Sequence, residues 1–481
     1  MREAIAILPM NTHPNSEAAV SRIEGQANPC LEEERRDSSS SSGQSVPSLH
    51  QDAETRTVLM IAFHYPPCRG SSGLQRSLSF SRYLPSHGWS PIVLSASPRS
   101  YADRGEDQLK DIPNSVSVKR AFALDTARHL SLRGRYVSWM SLPDRWVSWY
   151  LGAVPAGLRL IRRYHPKVIW STYPIATAHL IGLTLHRLTG LPWVADFRDP
   201  MTEVDPITGQ NHPPNPQLWR ARRWIESHTV RACTRAVLVT QGSLRIHTER
   251  YADLPASHWA VVGNGFDEQA FAAAEKIRPN PALNRPLVLL HSGVLYPTPD
   301  RDPTALFTAL AKLRSSGQLS SADIKVILRA SGHDDRYRQQ IRDLGIEDLV
   351  SLEPPIGYRE ALAEMLSADG LLLFQGYTSN PAIPAKLYEY LRARRPILAM
   401  VDAEGDTAAT LKKAGVGWIV PLESPEKIAS ALPLFLEGIR RATEPVAGES
   451  EIFLHSREAK SAELAALLDS VVAFSPGKAR R

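Results

Sequence analysis

The chain is poor in cysteine, with only Cys30, Cys68 and Cys233 in 481 residues. They are too few and too scattered for a disulfide framework or a zinc site, which points to the cell interior. Long apolar runs are also missing. No stretch approaches the roughly 20 residues of a membrane span, and the run Ile5–Leu8 is shorter than the apolar region of a secretion signal. The expectation is a cytoplasmic protein, at most peripheral on the inner face of the cell membrane. Neither sign of charge dominates. Lys and Arg total 56 against 50 Asp and Glu, so a dedicated nucleic-acid binder is not indicated, while anionic substrates and anionic lipid remain compatible. A short internal period is absent too, which disfavours solenoids and propellers.

What the chain does have is ordinary globular material, 43% hydrophobic and 22% charged, long enough for two cores. Residues 1–55, with the run Ser38–Gly43, hold too little apolar side chain to offset ordering and read as a disordered tail. From residue 56 to 275, short apolar runs recur at Val58–Phe63, Pro91–Leu94, Lys167–Trp170, Pro192–Ala195 and Ala236–Val239, most of them followed by helix-compatible segments. A polar stretch around Lys276 to Pro286 separates these from a second series, over 276–440, at Pro286–Leu290, Ile324–Leu328, Leu349–Leu352, Gly370–Phe374, Pro396–Met400 and Gly417–Val420. Such alternation predicts parallel strands with crossover helices. The expected fold is α/β, two doubly wound Rossmann-like domains facing across a cleft, with a helical tail over 441–481 crossing back to the first. The hinge is expected near Gly263 to Gly265 and where that tail returns.

The most informative stretch runs from Asn380 to Met400, a loop, a helix start and a strand. Pro384 suits the first helical position, and the free amides of a first turn offer donors and partial positive charge to an anion. Lys386 and Glu389 lie three apart, on one helix face. A phosphate would meet the lysine and the amides of Asn380 to Ile383, while ribose hydroxyls would suit the ionised glutamate. An ordinary surface helix with one weak ion pair carries the same residues. In the first half, Gly70-Ser71-Ser72-Gly73 follows the first strand and would let backbone approach a phosphate or an acceptor, or is a plain turn. Asp196 and Asp199 bracket Arg198 after a strand; one of them could orient or deprotonate an acceptor hydroxyl, or both could be structural. His64 and His291 also end strands, and for each a satisfied structural role is the alternative to a place in the cleft. Between Arg133 and Arg163, Tyr136, Trp139, Trp146, Trp149 and Tyr150 interleave with arginines. That mixture suits an anionic membrane surface, or a helix burying its rings and hydrating its arginines.

Taken together, Pro384–Leu391 followed by Arg395–Leu398, with Ile169–Pro174, Ala195–Pro200, Gly263–Asp267 and His291–Tyr296, resemble glycosyltransferase family 4, of the GT-B fold. The resemblance covers about Val58 to residue 440. It implies transfer of a sugar, with retention, from a nucleotide-sugar donor held in the C-terminal domain to a glycan or lipid-linked acceptor in the N-terminal one. It further implies surface polysaccharide or lipopolysaccharide synthesis and no bound metal or other cofactor. Glu389 matches the second glutamate of the family's E-x7-E signature, which holds the donor ribose; the first would fall at Pro381, so that carboxylate is missing. The family's arginine and lysine pair after the first C-domain strand is also not in place. Gly293 is there, but the loop continues from Tyr296 to Pro303, which leaves Arg301 as the candidate cation beside Lys386. Asp300 and Asp302 in that loop are not taken as a metal site. The missing acid keeps a second reading open, a non-catalytic GT-B scaffold or regulator that binds a nucleotide or glycan. A dinucleotide oxidoreductase is disfavoured because no G-x-G-x-x-G follows the first strand.

Overall fold

The computed structural model describes residues 56–69, 72–106, 108–133, 135–205, 208–279 and 285–473; the serine-rich segment 1–55 lies outside them. The first domain is built on seven strands: β1 (Arg56–Ile61), β2 (Trp89–Ala96), β3 (Ser117–Ala121), β4 (Val168–Thr172), β5 (Trp193–Arg198), β8 (Arg235–Leu238) and β9 (Trp259–Val261), with a small antiparallel hairpin of β6 (Glu203–Val204) and β7 (Asn211–His212) outside the sheet. The second domain carries β10 (Leu287–Ser292), β11 (Ile324–Arg329), β12 (Val350–Glu353), β13 (Gly370–Gln375), β14 (Ile397–Val401) and β15 (Trp418–Val420). The sheet orders are β3-β2-β1-β4-β5-β8-β9 and β12-β11-β10-β13-β14-β15, with every pairing in both sheets parallel. Each order reverses direction once, at β1/β4 and at β10/β13, which is where a doubly wound sheet opens a crevice at its carboxyl edge.

The strands lie in the interior because they are apolar on both faces. Val58 to Ile61 and Leu371 to Phe374 are at most 1% exposed, as a parallel sheet covered by helices on both sides requires. Helix starts follow local chemistry. Asn215 accepts from the amides of Gln217 and Leu218 to open Pro216–Ala232, with proline at the first position, and Asp267 does the same for Glu268–Glu275.

Three expectations are corrected. Strand β3, which is half-polar and half-exposed, was not read from the sequence, because its Ser-Val-Lys-Arg-Ala pattern carries no apolar run. The domain boundary falls before Phe266 and not at 275: Phe266, Phe271 and Ala274 pack with Leu290, Leu362 and Leu366 of the second domain, so the helix Glu268–Glu275 belongs there. At the other end, Ile452 of the short helix Glu449–Leu454 joins that same cluster, and the return begins later than 441. It is the helix Arg457–Ala473 that lies on the first domain. Leu464, Leu468 and Val471 pack against Val58, Met60 and Trp89, and Asp469 receives Trp89 Nε1 at 2.8 Å and pairs with Arg56 at 2.8 Å.

The chain thus crosses between domains twice, and the two crossings are bonded to each other. Phe266 N donates to His455 O at 3.1 Å and Arg457 N to Phe266 O at 2.9 Å, while a side-chain carbon on Gly265 would stand 2.4 Å from His455 O.

Candidate functional site

The segments that follow β8 and β13 at the carboxyl edges of the two sheets meet at the crevice, which carries charged side chains on both walls. Helix Lys386–Ala393 follows the loop after β13, and Lys386 points back to the end of β10. Its ammonium donates to His291 Nε2 at 3.1 Å, while His291 Nδ1 sits 2.9 Å from Leu372 O. That second contact needs a proton on Nδ1, which leaves Nε2 as the acceptor and makes His291 a neutral strut under the lysine. Burial and the neighbouring Lys386 charge hold the His291 pKa well below its ordinary value. Gly293, at φ 120°, completes the seat: any side chain there would begin 2.8 Å from Lys386 Nζ, in a backbone conformation that disfavours one.

Arg301 supplies the second cation. Its Nε lies 3.2 Å from Asp300, its guanidinium sits over Tyr296 at 5.4 Å, and its charge acts on both His291 and Lys386. Lys386 is consequently a poised cation. Burial first, and Arg301 second, bring its pKa from 10.5 to about 7, with Glu389 opposing them. Glu389, one turn on, accepts from the Tyr358 hydroxyl at 2.8 Å and lies within the field of Arg457. Burial raises its carboxyl above the usual range, against the pull of Tyr358, Arg457 and Lys386. Arg457 reaches Gln75 of the first domain at 3.0 Å and Asp267 at 3.0 Å, so Glu389 stands beside the crossing between domains. The amides of Ile383, Ala385 and Lys386 find no protein acceptor among the described residues, as expected for an uncapped helix start.

The structure brings Gly293, Arg301, Lys386 and Glu389 together, while the side chain of Ile383, in the loop before that helix, packs against the second-domain core. Asn380 is a correction. Its side-chain amide donates to Asp402 at 2.7 Å and its carbonyl accepts from Asp406 N at 2.9 Å, so it braces the loop and does not present itself to a ligand. Pro381, where the resemblance would place a carboxylate, is pressed against the first domain. Thr240 Oγ1 donates to its carbonyl at 2.6 Å, and a side-chain carbon on Gly242 would stand 2.4 Å from Pro381 Cα. Next to it, Asp406 accepts from Gly242 N at 2.5 Å and from Arg245 at 3.0 Å, closing the start of helix Gln241–Arg250 from across the crevice.

On the first-domain side, Asp196 is fully occupied. Arg76 grips it through two bonds of 2.9 and 2.8 Å, and Thr172 donates at 2.8 Å. A buried carboxylate so paired holds helix Ser72–Tyr83 to β5; it is not available to an acceptor. Asp199 is the open one. It follows a β-bulge between Asp196 and Arg198, with Arg198 at φ 62°, so the chain turns sharply and exposes the carboxylate. Although the residue reaches solvent, the crevice walls desolvate its carboxyl and raise it above the usual range, with Arg198 working against that. Of the glycine-serine loop, Gly70 and Ser71 lie outside the described residues. Ser72 opens the helix, and Gly73 is where His64 Nδ1, Arg198 Nη1 and Pro174 converge, each 2.8 to 3.4 Å from where a side chain would start. Burial and Arg198 take the His64 pKa down to about 4, so this ring is neutral at physiological pH. Sequence reasoning missed Arg76, Thr240, Tyr358, Asp406 and Arg457. Arg76 is 120 residues from Asp196, and no local pattern joins such pairs.

Among solved structures the chain is similar to the sucrose-phosphate synthase of Thermosynechococcus elongatus (TM-score 0.60, 14% identity, covering 87% of this chain and 100% of that one). It is also similar to HepE of Anabaena, solved with UDP and glucose (TM-score 0.56, 15% identity, 86% and 100% covered). A third is WaaG, a glycosyltransferase involved in lipopolysaccharide biosynthesis (TM-score 0.50, 13% identity, 87% and 100% covered). No family model and no curated protein matches the chain. The fold is GT-B, two Rossmann-like domains, shared with these glycosyltransferases.

Proposed function

We propose that this protein is a glycosyltransferase that moves a sugar from a nucleoside-diphosphate donor to a glycan or lipid-linked acceptor. The observation that carries the reading is the seat at the end of β10, where Lys386, held by neutral His291 over Gly293, shares the crevice with Arg301 one helical turn from Glu389. Breaking a glycosyl–phosphate bond leaves negative charge on the diphosphate. Two cations and uncapped amides in a partly desolvated crevice stabilise that charge where it develops. Lys386 and Arg301 are the groups assigned to the phosphates and the leaving charge, Glu389 to the ribose hydroxyls, and the reading includes no metal. Asp199, on the facing wall, is assigned to the acceptor hydroxyl.

The reading extends to retention at the anomeric carbon, hexosyl transfer and a role in surface polysaccharide or lipopolysaccharide synthesis on the inner face of the membrane, for which the support is the resemblance of motifs. Fold likeness at this identity does not choose a reaction. Docking of Pro381 against Gly242 favours the second reading, a binder without turnover, because it fills the place of the missing acid. Turnover separates the two. Purified protein is incubated with uridine, guanosine, adenosine and cytidine diphosphate sugars and cell-extract acceptors, and nucleoside diphosphate release is measured. Release that is lost in Lys386→Ala supports the transferase; binding of a nucleotide without release from any donor supports the scaffold.

A further inference from the structure

The aromatic-basic stretch between Arg133 and Arg163 divides in the structure. Trp149 is wholly buried, and Trp146 and Tyr150 pack against the first-domain core. Trp139 does not: it is 69% exposed, in a loop that also exposes Leu130, Val137 and Leu132, the last at 80%. These are large apolar side chains with no covering partner among the described residues, which is a cost unless something apolar meets them. The loop is nevertheless firmly held at its base. Thr126 Oγ1 donates to Met140 O at 2.9 Å, Thr126 N to Arg145 O at 2.8 Å, and Arg145 pairs with buried Asp125. At its tip, Leu132 and Arg135 exchange backbone bonds of 2.9 and 3.0 Å, setting exposed Arg133 and Arg135 beside Leu132.

Charge gives the partner. Between Thr126 and Ala195 the chain carries nine Arg and Lys and a single acid, Asp144, although the whole protein is nearly balanced. Asp144 is buried and bonded to Thr177, so it offsets nothing at the surface. The neighbouring helix Trp149–Tyr164 turns outward a face of Leu151, Pro155 and Arg159, with Arg162 and Arg163 exposed at its end. Gly152 of that helix abuts Phe122, itself 56% exposed. Exposed rings and leucines edged by arginines, with no surface acid in the stretch, are complementary to the headgroup region of a negatively charged bilayer. There an indole and a few leucines enter the acyl boundary while guanidiniums stay with phosphates.

We propose that this face, residues 126–133 and 135–142 with the outer side of helix Trp149–Tyr164, docks the protein on anionic phospholipid, with Trp139 and Leu132 as the inserting side chains. Ser138 meets Gln217 at 3.3 Å, and Arg222, on the same helix as Gln217 (Pro216–Ala232), reaches the hydroxyl of Tyr173, a residue of the recess beside His64. The docking face is therefore continuous with the wall assigned to the acceptor, which suits an acceptor drawn from the membrane.

The test is co-sedimentation of the full chain with vesicles of pure phosphatidylcholine and of phosphatidylcholine with about a third phosphatidylglycerol, at low and high salt. Wild type should bind the anionic vesicles, bind the neutral ones poorly, and weaken as salt rises. Arg133→Glu with Arg135→Glu, and separately Leu132→Ser with Trp139→Ser, should each lower partitioning roughly tenfold or more. All four side chains are exposed, so the thermal melt should stay unchanged. Quenching of fluorescence by brominated acyl chains should be lost in Trp139→Phe. Wild type remaining in the supernatant at low salt, or both double variants binding like wild type, would overturn the proposal. So would a concentration-dependent dimer that the Leu132→Ser with Trp139→Ser variant abolishes, because the face would then cover a second copy. Vesicle binding is read without donor, so its failure leaves the nucleotide-sugar reading intact.

Discussion

Lys386→Met removes the cation on which the proposed donor site depends and keeps the length of the side chain. A lysine whose pKa in the folded protein is about 7 against 10.5 ordinarily is a charge the fold carries at a cost. Below pH 7 both folded and unfolded chains hold the proton and the whole cost is present; as pH rises from 7 toward 10.5, the native state sheds the proton while the unfolded chain keeps it, and stability increases. Each pKa unit is worth about 1.4 kcal/mol, and discounting for remaining solvent leaves on the order of 2–3 kcal/mol. Methionine recovers that, less about 1 kcal/mol for His291 Nε2 left without its donor. The ligand-free variant should therefore melt roughly 2–6 °C higher than wild type at pH 6. The difference should shrink by pH 9, where the wild-type lysine is already neutral. Nucleoside diphosphate binding should be lost at both pH values. In wild type, binding restores the charge, so at pH 8 calorimetry in buffers of different ionisation enthalpy should show uptake approaching one proton. Affinity should fall by up to about tenfold per pH unit above 7.5. A variant that melts no higher at pH 6, together with pH-independent binding in wild type, would refute the desolvated phosphate-facing lysine.

Glu389→Gln should weaken nucleoside and nucleoside diphosphate alike by roughly 1.5–3 kcal/mol, because a charge-assisted bond to ribose is lost while the phosphate contacts stay; equal affinities in calorimetry would place the ribose elsewhere. Since burial raises the Glu389 carboxyl, wild-type affinity should also decline on the acid side, and a flat acid limb would count against the assignment. Asp406→Ala removes the bonds to Gly242 and Arg245 that join the domains beside Pro381. Small-angle scattering of the free protein should then show a larger radius of gyration that nucleotide reverses only in part, whereas an unchanged radius would mean the contact does not hold the crevice closed. Asp196→Asn should destabilise by about 3–5 kcal/mol, because it breaks a buried pair with Arg76. Asp199→Asn should leave the melt near wild type and lower turnover; the reverse pattern would exchange their roles.

Much of the architecture is written locally. Runs such as Val58–Phe63 and Gly370–Phe374 are apolar at every position, so they can only be strands covered on both faces, and their alternation with helical segments forces parallel pairing. Likewise Lys386 and Glu389 share a helix face by spacing alone, although spacing does not say what that face meets. Strand β3 was not, since its polar residues lie at a sheet edge where burial imposes no pattern.

What the tertiary structure alone decided is which groups are already taken. Asp196 and Asp199 look equivalent in sequence, yet Arg76, 120 residues away, occupies one and a bulge exposes the other. Asn380 and Pro381 read as a donor loop, but Asp402, Asp406, Thr240 and Gly242 hold that loop as a contact between domains. His291 became a strut because Leu372 O fixes its proton, and the division between Trp149 and Trp139 depended on which ring the core could accommodate. Helical and strand periodicity act over a few residues and set local form, whereas pairing of charges, burial and the lysine's lowered pKa arise between segments that only folding brings together.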